Sequence, residues 1–98
     1  MRIEVLDSAQ QDLVAGYAFY ESQAHGLGHY FLDSLFSDID SLRLFAGVHA
    51  LQFGCYHRLL SKRFPFAIYY RIEGDGVRVY AVLDCRRNPH WIADRMKD

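Results

Sequence analysis

Hydrophobic and polar positions change period along this chain, and each change marks an element. At the start, Ile3 and Val5 alternate with Arg2 and Glu4, the two-residue repeat of a short strand. From Ala9 the period lengthens. Ala9, Leu13, Gly16, Tyr17, Tyr20 and Ala24 recur at helical spacing and form one apolar stripe. Asp7 or Ser8 is expected to cap this helix, with Gln11 three residues after Ser8 in capping-box form. Gly26 is expected to end it, and Gly28 follows closely, so "HGLGH" reads as a helix–helix turn. A second helix is expected from about Leu27 to Phe45, with Phe31, Leu35, Ile39, Leu42 and Ala46 on one face and Gly47 as its stop. So short a connection predicts an antiparallel helical hairpin.

The period then returns to two. "YHRLL" reads as a strand and "KRF" as a turn, and Pro65 opens the strand "FAIYYRIE", where Phe66, Ile68, Tyr70 and Ile72 share a face. "GDG" at Gly74 to Gly76 is a hairpin turn. In "VRVYAVL", Val77, Val79, Ala81 and Leu83 are expected to share a face. Asn88 is an N-cap residue and Pro89 suits the first helical position, so "PHWIADRM" predicts a short terminal helix. The order β-α-α-β-β-β-(α) predicts an α+β fold: an N-terminal helical hairpin packed on a small antiparallel sheet, in one domain spanning residues 1–98. Leu13, Tyr20, Phe31, Leu35, Ile39, Ile68, Tyr70, Val79 and Ala81 form its expected core. Trp91 is expected to plug the open end of that core.

Charge adds a second pattern. The formal net charge is -1, which argues against direct nucleic-acid binding and against attraction to an acidic membrane. The halves differ, however. Residues 1–49 hold two basic and seven acidic side chains, and residues 50–98 hold nine basic and five acidic ones. The basic half is therefore expected to meet something negative. Arg86 and Arg87 stand side by side where the last strand leaves the sheet, and Arg58, Lys62 and Arg63 are expected to join them at one sheet edge. Both arginines can be solvated there, so their removal is expected to change thermal stability little. The two cysteines lie far apart in no paired motif, as in a protein of a reducing compartment, and no signal or membrane-spanning segment is evident. A soluble, cytoplasmic protein is expected.

Other constellations are weaker. Cys55, His57, Cys85 and His90 do not have the spacing of a structural zinc site, so no metal or other cofactor is expected. Ser61 with His57 and Asp84 or Asp38 lacks a nucleophile motif and reads as a turn serine. Tyr69, Arg71, Arg78 and Tyr80 are expected to share a sheet face, read here as a protein contact and not as a base-stacking surface.

Four short motifs occur in order: Ala9, Asp12 and Leu13; Gly26, Leu27 and Gly28; Phe64, Pro65 and Phe66; and Arg86, Arg87, Asn88 and Pro89. Together, over nearly the whole chain, they resemble the RelE/ParE toxin superfamily of type II toxin–antitoxin systems, the ParE-like branch in particular. The resemblance implies a cognate antitoxin as partner and DNA gyrase as target, bound through Arg58, Lys62, Arg63, Arg86 and Arg87 by a non-enzymatic inhibitor. The alternative it implies is a RelE-like, ribosome-dependent mRNA endoribonuclease, with Arg86, Arg63 and His57 as the candidates for catalysis. The cations of that branch fall at His57, Leu59, Phe66 and Arg86 and its tyrosine near Ile92. Leu59 and Phe66 cannot stabilise phosphate charge, and the net charge is low for a ribosome-docking nuclease, so the ParE-like reading is favoured. A third possibility is a diverged, non-toxic member that only binds its antitoxin.

Overall fold

The computed structural model describes residues 1–97. The elements run β1 (Arg2–Val5), α1 (Asp7–Gln23), α2 (Leu27–Asp40), α3 (Leu42–Phe45), β2 (Leu51–Gln52), β3 (Tyr56–Leu60), β4 (Phe66–Glu73), β5 (Gly76–Asp84) and α4 (Pro89–Arg95). The sheet order is β1-β5-β4-β3-β2. This is the expected α+β arrangement with its helical hairpin. The sheet is mixed, because β1 lies parallel to β5 while all other pairs are antiparallel. The two-residue strand β2 and the break at Ser41 between α2 and α3 are additions to the sequence reading.

The hairpin packs by mutual insertion of rings. A Cβ on Gly16 would stand 2.5 Å from the Phe31 ring, and one on Gly28 would stand 2.7 Å from the Tyr17 ring. Each helix thus gives up a side chain where the other delivers an aromatic. Gly26 does not terminate α1; Ala24 caps it, and Gly26, at φ 87°, is the N-cap of α2. Glu21 closes the turn by accepting from the backbone N–H of Gly26 (3.1 Å) and of Gly28 (2.9 Å). Those two bonds hold its carboxyl below the usual range. They also satisfy donors that the start of α2 would otherwise leave free.

The main core lies between the hairpin and the sheet. Leu13, Tyr20, Phe31, Leu35, Ile39, Ile68, Tyr70 and Val79 are all buried in it, as expected. Ala81 is buried too, but on the opposite face, with Leu83, Ala67, Tyr69, Tyr56 and Met96. The reason is a bulge. Tyr70 pairs with Val79 and Tyr69 pairs with Ala81, so Tyr80 is an extra residue in β5. One inserted residue reverses the facing of everything after it. Val77 and Val79 therefore face the helices, Ala81 and Leu83 face away, and Val82 joins the helix side.

Helix α1 completes the sheet where β1 runs out. Beyond Val79, β5 has no strand on that side. Ser8 Oγ donates to the Tyr80 carbonyl (2.9 Å), and Asp12 Oδ2 accepts from the Val82 N–H (3.0 Å). Ser8 is therefore not a helix cap; the N-cap position is Leu6, without a side-chain bond. Asp12 also holds Arg95 of α4 through two bonds, at 2.8 and 2.6 Å. One carboxylate ties α1, β5 and α4 together, while its neighbours Ala9 and Leu13 are buried.

Candidate target-binding site

The β3–β4 connection and the β5–α4 turn carry four of the five cations expected to converge, and Arg58 lies within β3. Asp38, buried on α2, orders the first. Its Oδ2 accepts from Ser61 Oγ (2.7 Å) and from the Lys62 N–H (3.4 Å), which leaves Lys62 and Arg63 exposed on the loop. Ser61 is thus a turn serine bonded to a carboxylate. The second is ordered by Asp84 and Asn88. Asn88 caps α4 by accepting from the His90 N–H at 2.7 Å, and Pro89 is the first helical residue, both as the sequence predicts.

Arg86 and Arg87 diverge. Arg86 turns back on Asp84, with Nε to Oδ1 at 3.0 Å and Nη2 to Oδ2 at 2.7 Å, and its Nη2 lies 3.5 Å from the Tyr20 hydroxyl. The guanidinium holds the Asp84 carboxyl below its usual range, and the carboxylate raises Arg86 further still. Arg87 goes the other way. Its guanidinium stacks on Trp91 at 3.9 Å from the ring centroid and makes no ion pair among the described residues. Trp91 stays 38% exposed, so it does not plug the core; Met96 of the same terminal segment is buried there, and Ile92 packs beside it. With Trp91 on the rim, an indole face is available to carry the arginine.

Arg87 and Arg58 line one open pocket of about 460 Å³ on the sheet face away from the hairpin. Gln52, Phe53, Tyr69, Cys85, His90 and Ile92 also line it. Arg58 Nε is buried and has no hydrogen-bond partner. Burial raises the pKa of Tyr69. The structure therefore brings Arg58 and Arg87 together, puts Lys62 and Arg63 on the neighbouring loop, and directs Arg86 toward α1. No sequence signal marked Phe53, which stands at φ 54° in the β2–β3 turn.

The candidates for catalysis do not assemble. His57 stacks on Tyr70 (5.1 Å, 20°), and its Nδ1 lies 2.7 Å from the His49 carbonyl. It pairs with Tyr70 in the sheet, whereas Asp84, beside Arg86, pairs with Phe66. Four residues of extended chain separate those levels, roughly 13 Å. Arg63 is exposed in the loop between. Tyr70 accepts from the Gly47 N–H (2.9 Å) and meets His49 Nδ1, so this histidine cluster fastens the segment before β2. Burial, then the charge of His57, lowers the pKa of His49. Among the described residues no group of three His, Cys, Asp or Glu side chains gathers as a metal site, and no helix is long and apolar enough to cross a membrane.

The outer sheet face bears out the expected grouping of aromatics and cations. Arg71 lies over the Tyr56 and Tyr80 rings, and Glu73 accepts from the Tyr80 hydroxyl at 2.6 Å while pairing with Arg71 and Arg78. The charge there is neutralised internally. Val5 of β1 and Leu13, Val14, Tyr17, Leu32 and Phe36 of the hairpin line an apolar groove of about 510 Å³, with Val14 and Phe36 well exposed.

No family model and no curated protein matches the chain. Among solved structures it is similar to one described as "Chromosomal ParDE TA system from P. aeruginosa", with a TM-score of 0.70 over 84% of this chain and 92% of that one. The identity is 19%, so the likeness is one of fold. The fold shared with a chain of that system is the α+β arrangement that the four sequence motifs imply.

Proposed function

We propose that this chain is the toxin of a type II toxin–antitoxin pair, of the ParE type: a non-enzymatic protein that seizes DNA gyrase in the cytoplasm and is held inactive by a cognate antitoxin. The observation that carries the reading is the shared fold with a chain from a ParDE system. Two features of the surface support it. The apolar groove on the hairpin suits the apolar face of an antitoxin helix, which would cover Val14 and Phe36. The sheet end offers positive charge that makes no ion pair among the described residues, from Arg58, Lys62, Arg63 and Arg87, for engagement of the target. The separation of His57, Arg63 and Arg86 weighs against the RelE-like nuclease.

The test is expression with and without the adjacent reading frame. The chain alone should arrest growth, and co-expression of a short neighbouring DNA-binding partner should restore it and yield a stable complex. Equal growth under both conditions, from a chain shown to be expressed and folded, would favour a non-toxic member.

A further inference from the structure

Most cations of this protein have a carboxylate. Arg43, Arg71, Arg78, Arg86, Arg95 and Lys97 all make ion pairs within 4 Å. Arg58 and Arg87 make none among the described residues, yet they share one pocket. Arg58 is the more telling. Its Nε has lost water without gaining an acceptor, and a buried donor left unmatched is costly. Carboxylates accept from the Nε and Nη edge of a guanidinium in parallel bonds, as Asp84 does with Arg86 next door. Arg58 and Arg87 thus line this pocket with two guanidinium cations and no carboxylate paired to either among the described residues.

The apolar wall points the same way. Phe53 is the one non-glycine residue at positive φ among the described residues, a backbone state that costs energy and tends to persist where function keeps it. That turn presents its ring, half-exposed, at the pocket rim, 6.0 Å from Tyr69. Ile92 adds further apolar lining. An anionic group between the arginines would thus be flanked by apolar surface.

We propose that this pocket is the docking site for an acidic side chain of a protein partner, with the carboxylate between Arg58 and Arg87 and a neighbouring apolar residue against Phe53. The inference rests on the toxin reading for the existence of a protein partner, and it names the chemistry by which that partner is held. A nucleic acid fits less well. A polynucleotide needs a continuous track of positive charge. Here Glu73 and Glu4 neutralise Arg71 and Arg78 along the same sheet, so the unpaired positive charge stays at the sheet end and does not run on as a track across the face.

The experiment uses the full chain and a blocked peptide, Leu-Glu-Leu-Glu-Leu, followed through the arginine Nε–Hε signals in NMR. The Arg58 and Arg87 signals should move saturably, the Arg86 signal should stay, and the glutamine counterpart of the peptide should have no effect. Arg87→Leu, at an exposed position that leaves the core intact, should weaken binding at least tenfold, as should Arg58→Leu with native-like near-UV circular dichroism. The proposal is overturned by equal binding of the glutamine peptide, by no movement at millimolar peptide, or by adenosine monophosphate moving both signals at lower concentration than the peptide. A chain that binds the glutamate peptide in this way but does not arrest growth keeps the docking site and removes the toxin reading.

Discussion

Replacing Asp12 by alanine should be among the more damaging single changes outside the apolar core. Three bonds end on that carboxylate: two from Arg95 at 2.8 and 2.6 Å and one from the Val82 N–H at 3.0 Å. The Asp12 side chain is 13% exposed and that of Arg95 is 27% exposed. An exposed ion pair contributes about 0–1 kcal/mol, and breaking a fully buried one costs about 3–5 kcal/mol. This pair lies between, and its loss also strands a backbone donor, so Asp12→Ala should cost about 2–3 kcal/mol. With a urea slope of about 1.5 kcal/mol/M, the unfolding midpoint should fall by roughly 1.5 M. Arg95→Met should cost less, about 1 kcal/mol, because Asp12 keeps its bond to Val82 and gains water. The double variant should show a coupling of about 1 kcal/mol or more. A coupling below about 0.3 kcal/mol, or a cost for Asp12→Ala below about 0.5 kcal/mol, would refute the claim that this carboxylate joins α1, β5 and α4.

Other outcomes follow from the packing. Leu35→Ala, at a fully buried site, should cost about 2–5 kcal/mol in the same urea titration. Gly16→Ala drives a methyl into the buried Phe31 ring; overpacking of about 1–3 kcal/mol outweighs the helix-propensity gain of about 1 kcal/mol, so thermal unfolding should move down, not up. Glu21 has a lowered pKa, so its contribution is present above the usual glutamate range and is lost as pH falls through the lowered value. Glu21→Gln should therefore flatten the acid side of the stability profile, most visibly below pH 5. Asp84 behaves in the same sense, and Arg86→Ala should remove the part of the acid dependence that comes from that pair.

Periodicity made the hairpin legible because it reports burial directly. Leu13, Phe31, Leu35 and Ile39 recur on one stripe and are buried together. What periodicity cannot carry is a break in its own register. Ala81 and Leu83 continue the alternation of Val77 and Val79 in the sequence, but the extra residue at Tyr80 sends them to the other face. The partner of β1 was equally hidden, since four alternating residues specify a strand and not its neighbour. The cations show the same limit. Adjacent arginines at a strand end read alike, and only the position of Asp84 two residues before Arg86 hinted that one would be held. The pairing of Arg58 with Arg87 in one pocket depends on the β2–β3 turn and α4 closing over the sheet face, contacts far apart in the chain. The motif aspartate Asp12 carried a physical reason that the sequence did not disclose: it stands in for a missing strand.

The central claim is that the chain acts by binding gyrase, and the most direct measurement is DNA supercoiling by purified gyrase in the presence of the purified chain. The account predicts dose-dependent inhibition that persists in Arg86→Ala and is lost in Arg58→Leu with Arg87→Leu, with both variants folded. Undiminished supercoiling at a large excess of folded chain, together with cleavage of messages in a ribosome-containing translation reaction, would contradict it.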